Sequence, residues 1–387
     1  MKIRRKSGLI KIMDKFTQNK EQIIQYLKDG CKSIDTPLCF GVELEHFIVD
    51  VSTKEAVPYY GDCGVEVILE KLTPYYEQKV YSEGYLIALG REEIALSLEP
   101  AAQLEVSISP KQSVEDIYAV YEQFIKEITP ILEAFGYELV TTGYQPKSRV
   151  NDLELLPKTR YRFMDAYFEK IGRFGRQMMR GTAATQVSID YYSEEDFKKK
   201  YKAAYRLRDV LGYFCSNSPY YEGDIYNGHN LRDEIWTQTD SRRVDVSPFF
   251  TDDTLSFENY ADFVMHTPVI VNKEGDKEYY DERTIGEIAK ERVFSKEETA
   301  HVLSMVFPMI RAKHFLELRF ADSMPIDRVL SYVIVLKGLF ADIDFTLAWA
   351  FSERYDKMKL QRKCEYMLEM IKTGLSEEEM AYITRFE

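Results

Sequence analysis

The chain has 387 residues, 45% of them hydrophobic and 30% charged, a balance that fits a folded globular protein and excludes a disordered or fibrous one. Its 51 Lys and Arg against 64 Asp and Glu leave a net charge of −13, so the surface repels nucleic acid and anionic membranes. Small molecules are the expected partners, and five cysteines without C-x-x-C spacing argue against zinc or a disulfide framework and for a reducing cytoplasm.

The start is basic, but Lys11 interrupts the apolar stretch after it and no signal-peptide core forms. From Gly8 to about Ser33, the spacing of Ile10, Met13, Phe16, Ile23, Ile24 and Leu27 predicts an amphipathic helix, interrupted near Thr17. A strand from Cys39 to Val49 follows. Its alternation puts Phe40, Val42, Leu44, His46 and Ile48 on one face, and Gly41, Glu43, Glu45, Phe47 and Val49 on the other. Two adjacent carboxylates repel and raise at least one pKa unless a cation lies between them. A lone E-x-E also fits the solvated face of an edge strand, but here the pattern returns. After a helix over residues 62–76 ended by Pro74, the stretch Ile94 to Ile108 sets Gln103, Glu105 and Ser107 against Leu104, Val106 and Ile108. Glu99 precedes a bend at Pro100. Ser113 and Asp116 make a capping box for a long helix reaching Phe135.

Residues 137–163 begin as a short strand and continue as a loop with Lys147, Arg149, Lys158, Arg160 and Arg162, cations that suit a phosphate or a merely solvated loop. The strand Thr182 to Tyr191 puts Gln186, Ser188 and Asp190 on its polar face, and Ser193 with Asp196 opens a helix to about Phe214. Leu231 to Arg243 is the richest polar cluster. It holds Trp236, and its Arg232 and Arg243 are candidate anion clamps, because the guanidinium fork donates two parallel hydrogen bonds. A helix over Ser256 to Val264, a strand at Val269 to Val271 and a helix over Phe294 to Lys313 precede the last strand, His314 to Phe320, where Glu317 and Arg319 share a face. The apolar stretch Val329 to Phe351 carries Lys337, Asp342 and Asp344, so it reads as a buried or amphipathic helix and not as a membrane span. No repeat or linker marks a second domain. The expected plan is a helical segment at 1–36, a catalytic sheet with helices at 37–325, and C-terminal helices at 326–387 on the same unit.

If the apolar strand faces turn to the helices, Glu43, Glu45, Glu99, Glu105 and Glu317 line one polar face and need cations. Carboxylate oxygens suit magnesium or manganese, and magnesium usually also takes substrate phosphates. The chain has no G-x-x-x-x-G-K-[ST] loop, G-x-G-x-x-G, H-E-x-x-H or G-x-S-x-G. Any nucleotide is therefore held through metals and arginines.

In that order and spacing, GVELEHF, LSLEPAAQLEVSISP, MMRGTAATQVSID, LRDEIWTQTDSRR and RAKHFLELRFAD resemble the glutamate-cysteine ligase family in its plant-type and proteobacterial branch, over about residues 38–325. The resemblance implies an α+β fold of the glutamine synthetase and guanido kinase kind, an antiparallel sheet with an acidic concave face and helices packed on the other. It implies ATP-dependent ligation of the glutamate γ-carboxylate to the amine of cysteine through a γ-glutamyl phosphate, the first step of glutathione synthesis. By position it makes Glu43, Glu45, Glu105 and Glu317, with Glu99, the magnesium ligands. Glu45, Arg232 and Arg319 become catalytic, and Gln103, Gln186, Ser188, Trp236, Arg243 and Lys158 bind substrate or nucleotide. The chain departs from the family's E-P-G-G-Q at Ala101 and Ala102, from its M-M-x-R-T by an arginine displaced to Arg180, and from its asparagine after Q-V at Ser188. These positions face substrate, so a different amine acceptor stays open, as does a metal- or nucleotide-binding relative without turnover. Monomer and homodimer are both compatible with the sequence.

Overall fold

A computed structural model describes residues 14–250 and 254–383. Helix α1 (Lys15–Asp29) starts at Asp14, whose carboxylate accepts hydrogen bonds from the Thr17 N–H and hydroxyl. Thr17 therefore belongs to the first turn, and the expected interruption does not occur. Ile10 and Met13 lie outside the described residues.

The main sheet contains β1 (Phe40–Asp50), the β2 (Gln78–Ser82) and β3 (Tyr85–Arg91) hairpin, β4 (Ile94–Leu98), β5 (Leu104–Lys111), β6 (Tyr137–Val140) and β7 (Ala184–Ile189). Two small hairpins, β8 (Tyr220–Tyr221) with β9 (Asp224–Ile225) and β10 (Pro268–Glu274) with β11 (Lys277–Thr284), stand apart from it. The strands β12 (Ile310–Ala312) and β13 (Leu316–Asp322) return to it. The order is β12-β13-β7-β1-β5-β4-β3-β2, with β6 beside the end of β1, and the pairings are antiparallel.

The helices between these strands are α2 (Val65–Leu72), α3 (Val114–Phe135), α4 (Thr159–Phe168), α5 (Glu194–Phe214), α6 (Leu231–Thr237), α7 (Ser241–Val244), α8 (Phe257–His266), α9 (Ile285–Glu291) and α10 (Lys296–Leu303). The chain closes with α11 (Ile326–Ala341), α12 (Ile343–Ala350), α13 (Glu353–Asp356), α14 (Leu360–Ile371) and α15 (Glu377–Ile383). Alternation decides what each strand buries. Val42 and Leu44, Leu104 and Val106, Val187 and Ile189, and Leu316 and Leu318 all enter one core with Ile117, Phe124 and Ile128 of α3. Among the long helices, α3 packs on β5 and β6, α5 on β13, and α11 on α3. His46 lies on this core side, with its ring nitrogens 2.9 Å from the Tyr121 hydroxyl and 3.2 Å from the Leu104 carbonyl. Burial lowers its pKa to about 4, which keeps it neutral.

Four local expectations change. The hairpin of β2 and β3 had no predicted counterpart. The stretch Ile94 to Ile108 is two strands that fold back on each other around Glu99 to Gln103. Residues 159–163, expected in a loop, open α4. The helix expected to reach Lys313 ends at Leu303, before Pro308, which has no N–H to continue it, and the chain re-enters the sheet as β12. The acidic face is also covered, because residues of α4 and α6 and of a π-helical turn (Gln177–Gly181) line the space above it.

Candidate active site

Strand register assembles the site. Glu45 stands opposite Glu105 across β1 and β5, and Glu43 stands opposite Gln186 across β1 and β7. Glu43, Glu45, Glu99 and Glu105 line one pocket of about 660 Å³. A basic wall of Lys158 and Arg160, from the start of α4, and of Arg311, Lys313 and Arg319, from the β12 and β13 edge of the same sheet, lines it too, and Met178, Met179, Trp236 and Phe307 supply apolar surface.

The carboxylates divide by charge environment. Burial first, then the charges of Glu317 and Glu105, raises Glu43 to about 7. Burial and the charge of Glu99 raise Glu105 to about 7 against a 2.8 Å hydrogen bond from the Ser97 hydroxyl. Glu45 is pushed well above the ordinary carboxylate range by burial and by Glu99 and Glu105. It accepts hydrogen bonds from the Ala184 N–H at 2.7 Å and the Gln186 amide at 3.0 Å. None of the three makes an ion pair among the described residues, and burial with neighbouring carboxylates outweighs the more distant charges of Arg311 and Lys313 on Glu43, Arg232 on Glu45 and Arg319 on Glu105.

Glu317 differs. It is fully buried, takes Arg311 bidentately at 2.6 and 2.9 Å, and accepts from Lys313 at 2.8 Å and Arg319 at 3.1 Å. Burial raises its pKa, but these three cations outweigh burial and hold it well below the usual range. Glu317 thus stands behind the basic wall and not on the pocket surface.

The pocket also collects Gln103, Gln186, Lys158, Arg232, Trp236 and Arg319. Gln103 acts on the backbone: its carbonyl accepts from Ala101 N–H at 2.9 Å and its amide donates to Thr182 O at 3.1 Å, pinning the turn that carries Glu99. Gln186 joins Glu45 to Arg319. Arg232 donates to Ala321 O at 2.9 Å, while its Nε has no hydrogen-bond partner among the described residues. Among the described residues Lys158 donates to Leu98 O at 3.1 Å and lies 4.9 Å from the centroid of the Tyr161 ring, and the hydrogen bonds of Arg160 are two of 3.5 Å to Ser304. Burial lowers the pKa of both cations.

Two predicted residues stand elsewhere. Arg243 is fully buried, bound to Asp240 at 3.0 Å, Met305 O at 2.6 Å and Pro268 O at 3.0 Å, so it braces loops and is not an anion clamp. Ser188 lies in a separate, smaller depression further along the same sheet face. Arg180 points away from the pocket, into Asp165 at 2.6 Å and Leu153 O at 2.8 Å. At the next position a Cβ on Gly181 would lie 2.7 Å from the fully buried Tyr144 ring, so no arginine fits there with Tyr144 in place.

Sequence reasoning missed Arg311 and Lys313 because their stretch was read with helical period. Their alternation with buried Ile310 and Ala312, two by two into the following strand, was the available signal. Arg160 was seen only as one cation in a run.

With this geometry in hand, the likeness to known proteins is specific. The fold is shared with a solved glutamate-cysteine ligase from Francisella tularensis in complex with AMP, which superimposes with a TM-score of 0.52 at 11% identity, covering 92% of this chain and 82% of that one. A family model, glutamate-cysteine ligase family 2, matches residues 39–369. Glutamate-cysteine ligase A, chloroplastic, of Oryza sativa subsp. japonica is 30% identical over 352 residues, covering 87% of this chain and 70% of its own length. The chloroplastic enzyme of Arabidopsis thaliana is 30% identical over 354 residues, covering 87% of this chain and 66% of its own. The chain belongs to the glutamate-cysteine ligase family.

Proposed function

We propose that this protein joins the γ-carboxylate of glutamate to the amine of cysteine at the expense of ATP, giving γ-glutamylcysteine, ADP and phosphate. The observation that carries this, beside family membership, is one pocket in which cation-poor Glu43, Glu45 and Glu105 face Lys158, Arg160 and Arg232, none of which has a carboxylate within ion-pair distance among the described residues. A phosphorylated carboxylate bound there offers the negative charge one wall lacks, and a divalent cation offers the positive charge the other lacks.

The reaction needs two substitutions. A glutamate γ-carboxylate oxygen attacks the γ-phosphorus of ATP, the bond to the β-phosphate oxygen breaks, and ADP leaves. The acceptor nitrogen, having lost one proton from its ammonium form, then attacks the acyl carbon, inorganic phosphate leaves, and the nitrogen sheds a second proton to give the neutral amide. Arg232 and Arg319 steady substrate carboxylate or phosphoryl oxygens by charge-assisted hydrogen bonds, and the lid over the sheet limits water that would hydrolyse the acyl phosphate.

Hard oxygen donors with raised pKa values fit a divalent cation, although no three Asp, Glu, His or Cys side chains among the described residues converge on a metal-sized point. Glu45, Glu99 and Glu105, with Glu43, would hold magnesium or manganese, which supplies neutralisation of phosphate charge. The paired Glu317 is the weakest candidate of the expected set. A reducing compartment is part of this proposal, supported by five unpaired cysteines.

The test is ADP release with ATP and magnesium, adding glutamate and then a panel of amines. Release that requires glutamate and rises most with cysteine supports the proposal. A better acceptor than cysteine changes the product, and Gly181 in place of the family arginine makes the acceptor the part to watch. ATP binding without release in any combination would leave a non-catalytic relative.

A further inference from the structure

A separate cavity of about 260 Å³ lies among α5, α6, α7 and the start of β12. Trp236 is the one residue common to its lining and that of the active pocket. Val244, Val246, Pro308, Met309 and Ile310 make much of the wall apolar. Arg208 is the one cation in the lining and is already engaged: it lies 3.5 Å from Asp209, donates to Tyr205 O at 3.3 Å, and stands 4.2 Å from the centroid of the Tyr205 ring. Two carboxylates line the same space. Asp245 accepts from the Ser247 N–H at 2.9 Å. The Asp233 carboxylate has no hydrogen bond or ion pair among the described residues, and burial and then Asp209 raise its pKa against the charges of Arg208 and Arg232. Tyr201, 2% exposed, also lines the cavity, and its hydroxyl has no hydrogen-bond partner among the described residues.

We propose that this cavity binds a small organic ammonium ion with an apolar body, its nitrogen donating to Asp233 and its body lying against Val246 and Met309, and that occupancy is felt in the active pocket. A carboxylate only accepts, so the group it lacks is a donor, and a cationic donor also gains from the faces of Tyr201 and Tyr205. A ligand bearing its own carboxylate would meet Asp233 and Asp245 with no uncommitted cation, so amino acids are disfavoured here. The space is smaller than the roughly 300–1,000 Å³ of pockets for drug-sized ligands, which suits an amine of a few carbons. Two contacts lead from the cavity to the active pocket. The Arg319 guanidinium lies 5.3 Å from the centroid of the Trp236 ring, and the Arg319 N–H donates to Met309 O at 3.0 Å. Trp236 and Met309 both line the cavity, so an amine seated there bears on two supports of Arg319. This coupling, unlike the binding itself, rests on the ligase reading above, and it is reciprocal: ATP and glutamate must change the amine's affinity as the amine changes theirs.

The experiment is fluorescence titration of isoamylamine, isoamyl alcohol and leucine, which share one apolar body, with and without ATP, magnesium and glutamate. The proteins are Trp349→Phe, which leaves Trp236 as the only tryptophan, and the same background carrying Asp233→Asn or Val246→Phe. Thermal melts check folding, and Asp233→Asn is nearly isosteric at a carboxylate that holds no partner. Isoamylamine is expected to change the Trp236 emission saturably, with the alcohol and leucine at least about tenfold weaker. Asp233→Asn is expected to weaken the amine about tenfold while ADP release in its absence stays unchanged, and Val246→Phe, which fills the cavity, to weaken it likewise. ATP with glutamate is expected to shift the amine's affinity severalfold. Unchanged amine affinity in either folded variant, or equal binding of amine and alcohol, overturns the site. Amine-stimulated ADP release that persists in Asp233→Asn without a saturable Trp236 response also overturns it, since the amine then serves as acceptor in the active pocket. In an active enzyme, an amine affinity indifferent to ATP and glutamate overturns the coupling. Asp233-dependent binding by a protein that never releases ADP keeps the site and defeats the ligase reading.

Discussion

Glu45 accepts from a strand N–H and from an amide while sitting among other carboxylates, so its charge and not its shape is what the site uses. Glu45→Gln is expected to keep the circular dichroism spectrum and lose activity by roughly 10²-fold or more, as for removal of a transition-state electrostatic partner. Wild-type turnover in that variant would remove Glu45 from the machinery. Arg243 behaves oppositely. Truncating it to alanine leaves Asp240 with Arg242 and the Tyr167 hydroxyl but removes the donor of the buried Met305 and Pro268 carbonyls, so a loss of about 3 kcal/mol is expected in chemical denaturation, and KM for ATP in the folded fraction stays unchanged. Ala102 adopts φ +65°, the left-handed region, where the family pattern has glycine. Ala102→Gly relieves about 1–2 kcal/mol of backbone strain and gives up about 0.8 kcal/mol of methyl burial. A small rise in melting temperature is the expected outcome, and a fall would mean that packing at this turn dominates.

At the scale of elements, the basic wall is held from outside the main pairings. Glu83, at the tip of the β2 and β3 hairpin, accepts from Arg162 at 2.6 and 3.2 Å and from Thr159 at 2.8 Å, and the Ser82 hydroxyl donates to Pro157 O at 2.9 Å. These bonds fasten the hairpin to the start of α4, which carries Arg160 and follows Lys158. The Glu83 and Arg162 side chains are 41% and 51% exposed, so their pairing contributes no more than about 1 kcal/mol to stability. Glu83→Ala is therefore expected to leave thermal stability almost unchanged while raising KM for ATP. A large fall in melting temperature with normal KM would show that the clasp serves the fold alone. The hairpin also shows why the site was only partly legible. Glu83 lies in a turn with no motif, and its place over the pocket depends on a sheet edge four strands from β1.

For the whole molecule, the carboxylate cluster sets the response to pH. Glu43 and Glu105 are raised from the usual 4.5 to about 7 in the folded state, so the folded protein binds more protons than the unfolded one between those values. Their contribution to stability is fully present below about 4.5 and is lost as pH rises toward about 7. Glu317 is depressed, so its contribution is lost only at lower pH, as its own folded value is approached. Metal-free protein is thus expected to melt at a lower temperature at pH 7.5 than at pH 5, and magnesium to raise the melting temperature more at pH 7.5. A magnesium effect independent of pH would separate these carboxylates from the ion.

Much of this was present in the order of residues. Alternation at Phe40 to Val49, at Leu104 to Ile108 and at Thr182 to Tyr191 determined which side chains face the core and which face the site, because a strand sends neighbours to opposite faces whatever it pairs with. The ordered blocks determined the family. Register, charge pairing and burial were decided only by the tertiary structure, because each depends on residues distant in the chain. Glu317 is neutralised by Arg311 across β12 and β13, Arg243 is enclosed by loops from Asp240, Pro268 and Met305, and Ser188 falls into a second depression because Gly41 and Ser107 come to lie beside it.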